Sequence, residues 1–361
     1  MENLKTVDYS FLLIPKCNII LTVIKMENNL KQPVFYNYDA PCFNVHGLPF
    51  YAIEHSLSRL PNGISVSKTV DFLKLHPSGA YLSFATDSSF IRVKAGVSSK
   101  AYMAHMTATG TIGCDLYIRK GQKWLFLGTT KADSENYEIN IVEGLPHKLN
   151  EYRLYLPLYI HLKQLEIGIE ANCTIQATEP INQDKIVFYG TSITQGGCAS
   201  RPGMNSTSIL GRTLNYEVIN MGFSGSAHLE TEMARVISSF SNIKLLVLEV
   251  EANAGETLVL KDRLETFVKI ITNAHPMMKV IIISHYPYAL ANYKPSFRNR
   301  FLDHYRFQKQ LCQNNNWEFV DGEALLKKLN YEETVDGVHL TDLGFYFLAK
   351  GLKTRINKLL K

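Results

Sequence analysis

The chain has 361 residues, 46% of them apolar and 20% charged, with a formal net charge of +5. That length exceeds what one hydrophobic core usually serves, so two domains are expected, and the composition excludes a disordered or low-complexity protein. Lys and Arg are scattered, and the one cluster, Lys350 to Lys361, reads as the solvated face of a terminal helix; with no basic run interleaved with aromatics, nucleic acid is not an expected partner.

Residues 1–32 are read as an N-terminal extension. Met26-Glu-Asn repeats the opening Met1-Glu-Asn, so translation can start at either methionine. The apolar stretch from Phe11 to Ile24 is interrupted by Pro15, Lys16 and Asn18, with acids upstream and no small-residue cleavage site after it. Two short strands fit it better than a signal segment, and it is too short to span a bilayer. Six cysteines (Cys17, Cys42, Cys114, Cys173, Cys198 and Cys312) are widely spaced without a Cys-x-x-Cys pair. This argues against a zinc site or a disulfide framework and suits a reducing compartment, so a cytoplasmic protein with no membrane partner is expected.

Residues 33–180 carry a β pattern. Tyr81 to Thr86, Cys114 to Ile118, Trp124 to Leu127, Glu138 to Val142, Tyr152 to Ile160 and Leu165 to Ile169 alternate or run as strands, separated by turn material such as Pro77-Ser-Gly and Lys120-Gly-Gln. Short strands without helical patterns between them predict an antiparallel sandwich. A polar, proline-containing connector, Ala177 to Asp184, marks the boundary. Over 184–361 strands (Ile186–Tyr189, Val218–Met221, Leu245–Val250, Val280–Ser284, Glu318–Val320) alternate with helices (Ser206–Leu214, Glu230–Phe240, Leu258–Ala274, Arg298–Asn314). Thr341 is placed to cap a last helix running to Leu360. Buried apolar strands alternating with helices predict a three-layer α/β/α domain on a parallel sheet.

Chemistry concentrates at Ile186-Val-Phe-Tyr-Gly-Thr-Ser-Ile-Thr-Gln-Gly-Gly-Cys-Ala-Ser-Arg-Pro-Gly203. A strand breaks at Gly190 and presents Ser192 on a tight turn, at the sheet edge where open α/β folds bind ligands. The spacing is Gly-x-Ser-x-x-x-Gly, not the α/β-hydrolase elbow, and such a turn can equally bind phosphate or merely turn. Far downstream, Asp336-Gly-Val-His339 places an acid and a histidine three apart around a glycine. His339 can deprotonate Ser192 while Asp336 fixes its tautomer, so serine acyl chemistry is the leading reading.

These motifs resemble the SGNH (GDSL-type) esterase and acylhydrolase superfamily, and most of all the group whose first block reads Gly-Thr-Ser-Ile-Thr-Gln-Gly-Gly-Cys-Ala-Ser-Arg-Pro-Gly. Upstream, Arg59-Leu-Pro, His105-Met-Thr-Ala-Thr-Gly, Asp115-Leu-Tyr and Glu151 to Tyr159 resemble the β-sandwich domain that precedes the hydrolase in that group. The resemblance implies a Ser192–His339–Asp336 triad and an oxyanion hole from the backbone of Ser192 and Gly225 and the side chain of Asn253. It implies no metal or cofactor. Thr191 stands where the nickname motif has Asp. The third block departs from the pattern: Glu251-Ala-Asn-Ala replaces the usual Leu-Pro-Asn or Gly-x-Asn-Asp, and Glu251 is expected to face solvent or pair with an arginine.

Two further residues are candidates for substrate binding. Arg201 either binds a substrate carboxylate or sugar hydroxyl or ties down its own turn, and His228 lies close after Gly225. Ser224 and Ser226 read as turn formers, His275, His285 and His304 as capping or packed histidines, and Tyr152, Tyr155, Tyr159 and Trp124 as core. The function expected is hydrolysis of short, acetyl-type esters of a carbohydrate or other small polar molecule. Acyl transfer to an alcohol or amine with the same triad is the alternative, and a binding module with a decayed site is a third reading. Oligomeric state is not legible.

Overall fold

A computed structural model describes residues 32–100 and 103–361. The N-terminal extension, with the two strands expected between Phe11 and Ile24, lies outside the described residues. The first part of the described chain is mainly β, with three short helices (Tyr51–Glu54, Lys68–Leu73 and Ala108–Thr111) between its strands: β1 (Pro33–Asn37), β2 (Asn44–His46), β3 (Tyr81–Thr86), β4 (Ile91–Val97), β5 (Asp115–Lys120), β6 (Lys123–Thr129), β7 (Asn136–Val142), β8 (Asn150–Tyr155), β9 (Leu162–Glu170) and β10 (Ile175–Gln176). One antiparallel sheet has the order β1-β9-β4-β7 and the other β10-β3-β8-β5-β6, with β2 added to β3. Their inner faces share a core that includes Phe84, Ile91, Val93, Leu116, Leu154 and Ile167. Along β4 the period-two pattern is plain: Ile91, Val93 and Ala95 are buried, while Arg92 and Lys94 turn outward and pair with Glu138 and Glu166.

The second part is a parallel five-stranded sheet: β11 (Lys185–Gly190), β12 (Glu217–Gly222), β13 (Ile243–Glu249), β14 (Lys279–Ile283) and β15 (Glu318–Val320), ordered β12-β11-β13-β14-β15. Successive side chains serve opposite faces. Val187, Tyr189, Leu246 and Leu248 pack under helices Thr231–Ser238 and Leu260–Ala274. Ile186, Phe188, Leu245 and Val247 pack with Leu210, Phe345, Leu348 and Leu352 from the helices Ser206–Thr213 and Asp342–Leu359. This is the sandwich followed by an α/β/α layer that the hydropathy pattern predicts. Thr341 caps the last helix, its hydroxyl accepting from the Gly344 N–H at 3.3 Å. The connections from β11 to β12 and onward to β13 leave in opposite directions, so the C-terminal ends of β11 and β13 flank the topological switch point.

Some elements differ from the sequence expectation. The run from Tyr152 to Ile160 ends as a strand at Tyr155, two residues before Pro157, and the following Leu158 and Tyr159 enter the core of the second part. β1, β2, β4 and β10 were not anticipated, nor were the helices Tyr51–Glu54, Lys68–Leu73 and Ala108–Thr111; β1, β2, β10 and the helices are short, and β4 carries charged residues on its open face.

The two parts are joined by polar and aromatic contacts. Arg201 donates to Asp115 and Tyr117, both at 2.7 Å, and its guanidinium lies 3.7 Å from the centre of the Phe126 ring. Arg212 covers Tyr117, and Arg153 donates to the Gly211 carbonyl at 3.0 Å. Thr107 and Thr109 both donate to the Ser200 carbonyl at 2.6 Å. Among the described residues no helix is long and apolar enough to cross a membrane.

Candidate active site

Strand β11 ends at Gly190, and Thr191 caps a single helical turn, Ser192–Gln195, whose first residue is Ser192. Thr191 does two things: its hydroxyl oxygen accepts from the Ile193 N–H at 3.2 Å and its hydroxyl hydrogen points to Glu249, 2.8 Å away. Threonine thus takes over the capping an aspartate would do, at a site where an acid already stands behind it. The turn presses against β12 so closely that a Cβ on Gly222 would come within 2.1 Å of the Gln195 nitrogen, which only glycine permits.

The Asp336–His339 segment reaches the same point from the other end of the chain. Gly337 has φ +90°, in the left-handed region, and lets the chain reverse so that both flanking residues face one way. Asp336 Oδ1 accepts from the backbone N–H groups of Val338 (3.0 Å) and His339 (2.8 Å), while Oδ2 meets His339 Nδ1 at 2.7 Å. His339 Nε2 then lies 2.9 Å from Ser192 Oγ. Burial raises the Asp336 carboxyl, but these bonds outweigh it and hold it at about 2. A carboxylate on Nδ1 leaves Nε2 free to accept the serine proton.

Of the donors expected to face a developing oxyanion, the Ser192 and Gly225 backbone N–H groups make no hydrogen bond among the described residues. Gly225 has φ +63° and open space where a Cβ would stand. Its loop is held from both sides: Gln195 Oε1 accepts from Ser224 N at 2.9 Å, and Asn253 Nδ2 donates to the Ser226 carbonyl at 2.6 Å. One hydrogen of the Asn253 amide is therefore committed to positioning that loop, leaving the other for a ligand.

Glu251 is a correction. It neither faces solvent nor pairs with an arginine; it is 3% exposed and accepts from His285 N at 2.8 Å and Gln308 Nε2 at 2.6 Å, with His285 Nδ1 at 3.1 Å. Burial alone would raise its carboxyl, yet these donors bring it down to about 2; His304 Nδ1, at 3.6 Å, stands too far for a hydrogen bond, so His285 and Gln308 carry the effect. Glu249 behaves oppositely. Fully enclosed, with hydroxyl and amide donors that offset only part of its desolvation, it is raised to about 7.

Arg201 is committed to Asp115, Tyr117 and Phe126, so of its two expected roles the structure shows the one that ties down the turn, not substrate binding. His228 Nδ1 stands 3.8 Å from Glu230, and the residue is absent from the cavity wall next to Ser192. Three neighbours of the site were missed. Tyr159 donates to the Ser192 carbonyl at 3.2 Å, Cys198 is buried with φ +71°, and the His105 ring centre lies 5.3 Å from that of His339. His105 and Tyr159 come from the first part of the chain, and no local pattern signals that they reach Ser192. Burial and the nearby Asp336 push the Cys198 thiol up to about 12.

Beside this centre, lined by the chain neighbours Ile193, Gly337 and Val338 and not by Ser192 or His339 themselves, lies a cavity of about 260 Å³. Ile193, Asn253 and Val338 form its inner end, Tyr288, Phe297 and Phe301 its aromatic wall, and Glu256 and Arg300 add charge. Phe301 stacks on His285, with ring centres 4.5 Å apart.

Residues 183–357 match the GDSL-like lipase/acylhydrolase family, and residues 34–175 match the N-terminus of SGNH-hydrolase-type esterases. A protein described as a GDSL-like lipase from Bacteroides ovatus superposes with a TM-score of 0.84 at 29% identity, covering 91% of this chain and 98% of that one. A salicylyl-acyltransferase of a tetracycline biosynthetic pathway has a TM-score of 0.71 at 18% identity, covering 91% and 97%. A family two carbohydrate esterase from Cellvibrio japonicus has 0.57 at 11% identity, covering 91% and 98%. At these last two identities the likeness is one of fold. No curated protein matches the chain. The two adjoining family matches, on an α/β/α layer preceded by a β-sandwich, make this chain a carboxylic ester hydrolase of the SGNH/GDSL type.

Proposed function

We propose that the protein hydrolyses short acyl esters, acetyl esters foremost, of a carbohydrate or similar small polar alcohol. The observation that carries this is the unbroken chain of contacts from Ser192 Oγ through His339 to Asp336, at 2.9 and 2.7 Å. Ser192 Oγ attacks the ester carbonyl carbon as His339 Nε2 takes its proton. The negative charge on the carbonyl oxygen is met by the N–H groups of Ser192 and Gly225 and the free amide hydrogen of Asn253, each such donor contributing about 3 kcal/mol in the transition state. His339 returns the proton to the departing alcohol, and water, deprotonated by the same nitrogen, releases the acid. Residues 184–361 supply the chemistry and residues 33–180 wall the site. The cavity supports a sugar-like alcohol: aromatic faces at Tyr288, Phe297 and Phe301 beside Glu256 and Arg300 suit a ring that stacks on one face and presents hydroxyls at its rim. Structures of the same fold include carbohydrate esterases and an acetyl xylan esterase.

The test is turnover of p-nitrophenyl esters from acetate to octanoate by wild type and Ser192→Ala. We expect rates that fall steeply beyond acetate and a loss in the variant of at least about a thousandfold, with unchanged melting. A variant that keeps its activity refutes the mechanism. A second reading, acyl transfer to an alcohol or amine, is favoured by the same cavity, which at about 260 Å³ has room for an acceptor beside the acyl group. Ser192 labelled by a fluorophosphonate but idle on every ester until an acceptor is added would select it.

A further inference from the structure

His105, Cys198 and His339 each direct one ligand-type atom into the same small space; these atoms all lie within 4.8 Å of one another. Since Nδ1 of His339 is held by Asp336 at 2.7 Å, Nε2 is the atom free to turn to a ligand. We propose that these three side chains form a Zn²⁺ site that shuts the enzyme off by occupying the nitrogen that serves Ser192.

The donor set, two imidazoles and a thiol, is one that zinc takes in preference to harder cations. With zinc–nitrogen and zinc–sulfur bonds of about 2.0–2.3 Å, tetrahedral ligands stand about 3.3–3.6 Å apart. The group therefore needs to close by about 1.2–1.5 Å at most, a side-chain adjustment. That movement falls on His105, whose side chain is exposed, while Cys198 and His339 are anchored, one buried in its turn and the other fixed by Asp336. Asp336 on the far nitrogen is also the outer partner that zinc-bound histidines commonly have. The bond count balances simply: zinc accepts the lone pairs of the two imidazole nitrogens and of the Cys198 sulfur, whose thiol proton goes to solvent, and a water or Ser192 Oγ completes the shell. With Nε2 occupied, the Ser192 hydroxyl has no base. The widely spaced cysteines argued against a zinc site in the sequence because spacing reports only local ligands; here the three come from residues distant in the chain.

A second group, His147, Glu170 and Cys173, gathers on the surface of the sandwich. There Glu170 already accepts from Ser89 at 2.6 Å, and the site lies on another part of the fold, so zinc bound there leaves turnover alone.

The inference depends on the hydrolytic reading for its consequence, inhibition, but not for the binding itself. The test therefore has two arms. In the first, zinc chloride is titrated into wild type, His105→Ala, Cys198→Ser and His147→Ala, reading ester turnover and fluorophosphonate labelling relative to each protein's own zinc-free rate. Expected is inhibition reversed by EDTA in wild type and His147→Ala, with the half-inhibitory concentration raised at least about tenfold in the other two. In the second, cobalt chloride is added to Ser192→Ala carrying Cys173→Ser, which needs no catalysis and removes the thiol of the surface group. Expected is a near-ultraviolet thiolate-to-cobalt band that Cys198→Ser in the same background abolishes and His147→Ala keeps. Absence of that band, or inhibition indifferent to both His105→Ala and Cys198→Ser, overturns the site. A band that appears in a protein inactive on every ester leaves the site standing and removes only the hydrolytic reading.

Discussion

Glu249 sits at the end of β13, directly behind the turn that carries Ser192, and its protonation sets a stability slope that one substitution should erase. Its carboxyl is raised from 4.5 to about 7 because burial penalises the charge more than Thr191 and Thr194 compensate it. The folded protein thus holds this proton more tightly than the unfolded chain does. Unfolding releases it between pH 4.5 and 7, so stability falls across that window as pH rises and stays lower above it. At 1.36 kcal/mol per tenfold change in proton affinity, the full fall is about 3 kcal/mol. Glu249→Gln keeps the one oxygen, Oε2, to which the Thr191 N–H and the hydroxyls of Thr191 and Thr194 all donate, and sets its NH₂ in the place of Oε1, 3.1 Å from the Thr191 hydroxyl oxygen, which can accept; the neutral amide therefore replaces the protonated acid at little cost. The two proteins are accordingly close in stability at pH 5, and between pH 5 and pH 8 the variant gains about 3 kcal/mol on the wild type. Guanidinium unfolding at fixed pH from 5 to 8 measures the difference, and in a Trp124→Phe background the remaining Trp317, packed against the core beneath the sheet, reports on the second part of the chain. Taking the difference between two proteins cancels every other titrating group. A difference constant within about 1 kcal/mol across that range refutes the assignment of the slope to Glu249.

Glu251 carries the opposite sign: lowered to about 2, it contributes stability above pH 4.5 that is lost as pH falls toward 2. Glu251→Ala strands the His285 N–H, its ring and Gln308, so a loss of about 3–5 kcal/mol is expected at pH 7, checked by denaturant unfolding; less than about 1 kcal/mol would mean the network is not coupled to folding. Arg201→Ala leaves the fully buried Asp115 without its cation and should cost a similar 3–5 kcal/mol, with Arg201→Lys recovering only part because the guanidinium's flat contact with Phe126 is lost; equal melting of Lys and wild type would refute a role for the planar group. Asp336→Asn should lower kcat by up to about ten thousandfold, since an amide on Nδ1 favours the wrong imidazole tautomer, with melting nearly unchanged because the side chain is over a third exposed; retained kcat would show that the backbone turn alone orients His339.

Local chemistry is what made parts of the molecule readable. β11 is an apolar run closed by Gly190, and Asp336-Gly-Val-His339 is a turn whose glycine permits the reversal, so both ends of the Ser192–His339 contact have short-range signatures. The helices follow apolar periodicity and, for the last, a threonine cap. Glu251 was misread for a physical reason: its partners, His285 and Gln308, lie 34 and 57 residues on, and an acid's fate in a loop depends on which elements fold over it. Arg201 stayed undecided because its partner Asp115 is 86 residues upstream and belongs to the other part of the chain. His105, Tyr159 and Cys198 lie in stretches that carry the family resemblance, but neither periodicity nor motif spacing reports that they come together beside Ser192 and His339.

That wall changes what the sandwich is for. Gln195 shows it most directly: its Nε2 donates to the Leu158 carbonyl at 3.1 Å, in the segment leaving the sandwich, while its Oε1 accepts from Ser224 N in the Gly225 loop. Tyr159 adds a bond to the Ser192 carbonyl, and Arg59, wholly buried, donates to the carbonyls of Asn220 and Gly222 on the strand that leads into the same loop. Each of these groups would be a buried polar atom without a partner if the sandwich were elsewhere, at about 1–3 kcal/mol apiece. The sandwich thus holds the strand leading into the Gly225 loop through Arg59, the Ser192 turn through Tyr159, and the loop itself through Gln195, while His105 stands beside His339. The first part of the chain therefore braces the turn and strand that carry the proposed oxyanion donors, and the proposed chemistry of Ser192 belongs to both parts together.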